Sequence, residues 1–220
     1  MAVPVLIIGK SGSGKSASMK SCVGKDFNLF RVLNKPLPFR GRIPGWKASD
    51  DYQLLYKALK SAPAKSIVID DAGYLITNYF MKNHSTKGKG NDVFGLYNTL
   101  ADNFWSLITF IANDLPEDRI VYVIMHEDTD DFGNVRAKTI GKLLDDKICL
   151  EGMFTIVLRC VNNLSEHKFI TQSDGGAISK SPEGMFEDIE IPNDLLYVDN
   201  TIREYYGIQN PKKEEVKKND

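Results

Sequence analysis

Apolar residues along the chain gather in short unbroken runs: VPVLII (3–8), FNLFRVL from Phe27, SIVID (66–70) and IVYVIM (120–125), which ends at His126. A run without polar interruptions predicts a strand covered on both faces, as in a parallel sheet packed between helices. Elsewhere the apolar positions recur at helical spacing. Leu54, Leu55, Ala58 and Leu59 predict a helix over 50–60 with Ser49 or Asp50 as its cap. Phe94, Tyr97, Leu100, Ala101, Phe104, Leu107, Ile108 and Ile111 predict a long helix over 92–113, in which Trp105 reads as core packing rather than a base-stacking platform. Shorter helices are predicted over 15–23, closed by Gly24, and near 194–206.

Three stretches break this rhythm. KPLPFRGRIPGWK (35–47) carries three prolines and two glycines and predicts an irregular segment. NHSTKGKGN (83–91) has almost no apolar content and predicts a mobile loop. FTIVLRC (154–160) and HKFITQ (167–172) flank VNNLSE and predict an antiparallel hairpin at the sheet's edge. The tail NPKKEEVKKND reads as disordered, which divides the chain into one domain over 1–208 and a charged tail over 209–220.

Composition narrows the class. Of the 220 residues 42% are hydrophobic, as in an ordinary globular protein, and no apolar run reaches membrane-spanning length, so a cytoplasmic location, that of a host cell, is expected. Cys22, Cys149 and Cys160 form no CxxC and read as reduced, packing cysteines. The formal net charge is −1, yet Lys10 to Lys60 holds eleven Lys/Arg against three acids. Such a local excess offers a polyanion one attractive region on a nearly neutral protein.

The sharpest chemical signal is GKSGSGKS (9–16), directly behind the first strand and ahead of a predicted helix. Gly9, Gly14, Lys15 and Ser16 fill the pattern G-x-x-x-x-G-K-[ST] in the strand-to-helix setting that the pattern requires. Gly12 and Gly14 allow backbone dihedrals closed to other residues, so that the N–H groups from Lys10 through Ser13 and onward can turn inward around phosphate oxygens. Lys15 is placed to neutralise the β- and γ-phosphates of ATP, and Ser16 to ligate Mg²⁺. Some 55 residues on, SIVIDD ends a strand in carboxylates; Asp70 then serves the metal.

Together with SIVIDDAGYL, the segments KPLPFRG (35–41), YVIMHED (122–128), KTIGKLLDDK (138–147), EGMFTIVLR (151–159) and SKSPEGMF (179–186) resemble a phage-encoded family of RecA-like P-loop ATPases. These are AAA-type nucleotide-binding proteins that include ATP-dependent single-strand annealing proteins. The resemblance implies an α/β RecA-like core with a parallel sheet in the order 5-1-4-3-2, to which the C-terminal hairpin is added. It also implies that His126 faces the γ-phosphate as a sensor. RecA-type enzymes usually supply a catalytic glutamate between the two Walker elements, but residues 17–65 contain no Glu. Asp71 is therefore expected to orient the attacking water, with slow hydrolysis that waits for a partner subunit or DNA. Lys138 and Lys142 resemble the cationic fingers that RecA-like proteins insert into a neighbour's site, and Lys10 occupies a position where some ATPases reach across a dimer. Solvated surface is the plain alternative for all three.

Three functions are compatible with these residues. The first is an ATP-dependent protein of phage recombination or replication that assembles as a ring or filament on single-stranded DNA. In that reading Arg40, Arg42, Trp46, Lys47, Lys87 and Lys89 contact the strand. The second is a nucleotide-dependent switch or scaffold without DNA binding. The third, a small-molecule kinase, lacks the clustered arginines of a lid, since Arg119, Arg136, Arg159 and Arg203 are scattered.

Overall fold

The computed structural model describes residues 1–87, 90, 92–130, 132–163, 166–173 and 175–209. Among these residues the strands are β1 (Val3–Gly9), β2 (Phe27–Arg31), β3 (Ser66–Asp70), β4 (Ile120–Thr129), β5 (Val135–Ala137), β6 (Ile156–Asn163), β7 (Glu166–Ile170) and β8 (Glu190–Pro192). The α-helices are α1 (Tyr52–Ser61), α2 (Gly73–Lys87), α3 (Asp92–Asp114), α4 (Lys142–Asp145) and α5 (Leu195–Tyr206). One sheet runs β2-β3-β4-β1-β6-β7-β8, with β5 paired to the far end of β4. The first five in that row are parallel, and with β6 as the fifth parallel strand they give the expected order 5-1-4-3-2. The hairpin is also present: β7 returns antiparallel along β6, and β8 adds a third antiparallel strand.

Alternation along β1 sorts the core into two layers. Leu6 and Ile8 face the layer built with α1, α2 and α3, whereas Val5 and Ile7 face the layer that holds Met19 and α5. Burial on both faces is what the unbroken apolar runs require. Because β1, β4, β3 and β2 are parallel, their C-terminal tips lie on one edge, and connections diverge there.

Local chemistry moved several boundaries. Behind the glycine-rich loop the chain forms a 3₁₀ helix, Ala17–Cys22, instead of an α-helix over 15–23. Ser18 and Ser21 donate their hydroxyls to the carbonyls of Lys15 and Ser18, a local bonding mode that competes with the α-helical ladder. The cap of α1 is Asp51, which accepts from the amides of Gln53 and Leu54, while Asp50 is taken by Asn78 and Lys82 of α2. Residues 83–87, read as loop, continue α2: Asn83 donates to the Tyr79 carbonyl and the His84 ring stacks on Phe80 at 5.2 Å. Trp105 is not core; it is 53% exposed on α3, as is Phe94, and Leu54 of α1 is 49% exposed. Strand β4 continues past His126 to Thr129 because β5 pairs with its last three residues. The tail reading lies outside the described residues from 210 onward.

A buried polar knot pins α5 beneath the sheet. Asp199 accepts from Ser66 Oγ (2.6 Å), Tyr122 OH (2.9 Å) and Arg203 Nε (2.8 Å), and Arg203 also donates to Ser66 Oγ (2.7 Å). Asp199 and Arg203 are 4% and 1% exposed, so neither charge has recourse to water. Asp199→Ala strands Arg203 and Tyr122, and urea unfolding is expected to show a loss of about 3–5 kcal/mol.

Candidate active site

Gly9 ends β1 and the loop to Ser16 folds over the sheet's edge. Gly12 (φ 80°) and Gly14 (φ 102°) occupy the left-handed region, as the loop's turn requires. At Gly14 a Cβ would also come within 2.6 Å of Asn193 Nδ2 and 2.7 Å of the His167 ring. Among the described residues, the amides of Gly12, Gly14, Lys15 and Ser16 donate to no protein acceptor, and the buried Ser13 hydroxyl has no partner. Unpaired donors around one concavity are a cradle for an anion. Lys10, Ser11 and Gly12 lie exposed on the rim. The Lys15 side chain is folded inward, where its ammonium donates to the carbonyls of Gly9 (2.8 Å) and Lys10 (2.7 Å). Burial lowers the Lys15 pKa, against the pull of Cys160, Asp71 and Asp70.

Across the loop stand the carboxylates. Ser16 Oγ donates to Asp70 Oδ1 (2.9 Å) and Oδ2 (3.2 Å), so the hydroxyl and carboxylate expected to share a metal are already adjacent. Burial, and then the charge of Asp71, push the Asp70 pKa up to about 6. Mg²⁺ favours one or two protein oxygens with phosphate and water filling the rest, which this pair suits. No cluster of three or more His, Cys, Asp or Glu that could hold a metal occurs among the described residues. Asp71 is 5% exposed and holds a left-handed backbone (φ 60°), a conformation uncommon outside glycine and often retained at functional positions. Its carboxylate pairs with Lys35 Nζ at 2.6 Å and lies 3.8 Å from His126 Nε2.

His126 sits beside Gly9 in the β1–β4 register, and its ring meets Tyr74 edge-on. Burial and the nearby Lys15 charge lower its pKa despite Asp71, which favours neutral imidazole at neutral pH. The loop, Asp71 and the His126 imidazole border one cleft of about 480 Å³, together with Lys35, Pro36, Pro38 and His167. Lys138 and Lys142 are exposed and do not line this cleft of their own chain. The Lys138 amide donates to the His126 carbonyl (2.7 Å), and Lys142 begins α4.

Residues 1–183 match the family described as AAA domain. The chain belongs to that family. Among solved structures, the AAA-domain chain is similar to a KaiC-like protein, PH0186, from the hyperthermophilic archaeon Pyrococcus horikoshii OT3, at 12% identity and a TM-score of 0.42, over 76% of this chain and 77% of that one. No curated protein matches it significantly.

Several cleft residues of this AAA domain escaped the sequence reading. Lys35 registered as part of a basic excess and as the first residue of KPLPFRG, with no role assigned, although a lysine just past a parallel strand stands on the ligand-binding edge. His167 reaches the loop on β7, which returns along β6, and Asn193 follows β8, which pairs with β7; nothing in the local sequence shows either. Glu127, the residue after His126, points away from the cleft into a bidentate pair with Arg159 (2.8 and 3.0 Å). Both Glu127 oxygens are engaged there, which leaves Asp71 as the carboxylate beside the Ser16–Asp70 pair.

Of the residues expected at DNA, Arg40, Arg42 and Lys47 are exposed beside β2 and Lys87 ends α2 in solvent. Trp46 is half-buried with its ring 6.3 Å from Phe30, and Lys89 lies outside the described residues.

The raised Asp70 pKa has a thermodynamic sign. Folded Asp70 keeps its proton up to about pH 6, whereas the unfolded side chain releases it near 3.8, so ionisation opposes folding as pH rises through that interval. Without metal, Asp70→Asn should therefore gain melting temperature over the native protein as pH goes from about 4 to 7. Differential scanning calorimetry across that range checks it, and a constant offset would contradict it.

Proposed function

We propose that this AAA domain is a magnesium-dependent ATPase that acts on single-stranded DNA in phage recombination or replication, in the host cytoplasm. The observation that carries the ATPase reading is the Ser16–Asp70 contact beneath unpaired loop amides, with Asp71 and His126 beyond it. In this reading the loop and Lys15 hold the phosphates, and Ser16 with Asp70 holds Mg²⁺. Asp71 orients water and His126 contacts the terminal phosphate; Mg²⁺, held there, would supply charge to offset that developing on the phosphoryl group.

The DNA reading draws support from the irregular stretch 35–47. A groove of about 490 Å³ is lined there by Arg31, Phe39, Arg42 and Trp46, and shares Pro36 with the nucleotide cleft. That shared residue offers a physical route by which strand binding could act on hydrolysis. The kinase alternative finds little support. Every arginine after Arg42 is engaged: Arg119 with the Ala64 carbonyl, Arg136 with Asp145, Arg159 with Glu127 and Arg203 with Asp199. Head-to-tail assembly into a ring or filament, which would bring Lys142 to a neighbour's nucleotide, belongs to the same proposal.

Steady-state hydrolysis with and without single-stranded DNA, paired with strand binding across a salt series, tests it. Asp71→Asn should keep Mg·ATP binding and lose turnover. Replacing Arg40 and Arg42 by Ala should flatten the salt slope by roughly 0.7 per lost contact and leave nucleotide binding intact. Hydrolysis indifferent to DNA and to protein concentration, with no strand binding at low salt, would favour the switch reading.

A further inference from the structure

Lys35 lies where no sequence motif places a functional group. Leaving β2, the chain stays on the edge of β3, since the Val32 amide donates to the Asp70 carbonyl (3.1 Å). A tight turn follows, in which the Lys35 amide donates to the Leu33 carbonyl (3.0 Å) and Arg31 donates to the Lys35 carbonyl (3.0 Å). Pro36 comes next and restricts the Lys35 backbone further. The residue is thus held by its main chain, while its ammonium bonds Asp71 across the mouth of the cleft.

The two partners differ in exposure. The Asp71 side chain is 6% exposed and that of Lys35 is 49% exposed. A lysine serving only to neutralise a buried carboxylate has no need of so open a face. Sheet order gives that face a direction. From β1 outward come the loop, then His126 on β4, then Asp70 and Asp71 at β3, then Lys35 beyond β2. Asp71, His126 and Lys35 line the same cleft as the loop, so a triphosphate seated there, with a metal held by Ser16 and Asp70, would present its last phosphate to them. There the Lys35 ammonium could bond a γ-oxygen and Asp71 together, with Lys15 on the loop side of the cleft.

We propose that Lys35 is a second γ-phosphate cation, supplied by the same chain as the loop and the carboxylates. In the nucleotide-free state the same ammonium covers Asp71, and with a triphosphate bound it is shared between Asp71 and a γ-oxygen. The inference rests on the ATPase reading above, and it predicts selectivity for the triphosphate, because ADP presents no γ-oxygen to Lys35.

Calorimetric binding of Mg·ATP and Mg·ADP to the full chain, with Lys35→Ala, Lys35→Met and Lys35→Arg, separates the possibilities. Both neutral variants should lose roughly 10- to 100-fold in ATP affinity while ADP affinity stays within about twofold, and Lys35→Arg should recover part of the loss. Turnover should fall in the neutral variants by the same factor at every protein concentration. An unchanged ATP-to-ADP ratio overturns the inference, and so does equal loss of both nucleotides, which would make Lys35 a structural residue. Faster hydrolysis in Lys35→Ala overturns it as well, since the ammonium would then only obstruct Asp71. A native protein that binds neither nucleotide is a different result and removes the ATPase reading itself.

Discussion

Two neighbouring carboxylates, Asp70 and Asp71, are carried by β3 into a site where both are almost wholly withdrawn from water. Adjacent buried charges of one sign repel and forgo hydration, so such a pair persists only where cations or donors surround it. The remainder of the edge meets that requirement. Ser16 donates to Asp70, Lys35 pairs with Asp71, and Lys15 stands near enough to feel both. Asp70 nonetheless keeps a raised pKa, because burial and the charge of Asp71 outweigh the bond from Ser16.

The sheet delivers these groups without long loops. Parallel strands bring four tips to one edge, and the order β2-β3-β4-β1 arranges Lys35, the carboxylates, His126 and the glycine-rich loop in a row. On the other flank, β7 places His167 and the end of β8 places Asn193 against Gly14, so the loop is braced from that side too. Far below, the Asp199–Arg203 knot fixes α5 to Ser66 at the start of β3 and to Tyr122 of β4. One strand, β3, therefore connects the buried Asp199–Arg203 pair at its foot to the Lys35–Asp71 pair at its tip.

Much of this was legible in the chain. Unbroken apolar runs identify strands buried on two faces, and the phosphate-loop pattern fixes where ligand chemistry begins. The parallel order itself came from the family resemblance and not from periodicity. What remained hidden depends on contacts between segments distant in sequence. Nothing near Lys35 indicates that it will meet Asp71, 36 positions on. Polarity alone suggested a loop at 83–87, but the helix continues through side-chain bonds and the tie from Lys82 to Asp50. Trp105 illustrates the opposite error: a large aromatic inside a helical pattern is taken for core, yet it faces solvent one position off the buried stripe.

The central claim is that the glycine-rich loop and the carboxylates opposite it form a site for Mg·ATP. Calorimetric titration of Mg·ATP into the native chain and into Lys15→Ala tests this most directly. Lys15 supplies charge-assisted bonds that backbone amides cannot replace, so one site per chain is expected for the native protein and roughly 10- to 100-fold weaker binding for the variant, provided both melt alike. Equal affinity in the two proteins, or no binding by the native chain, would contradict the account.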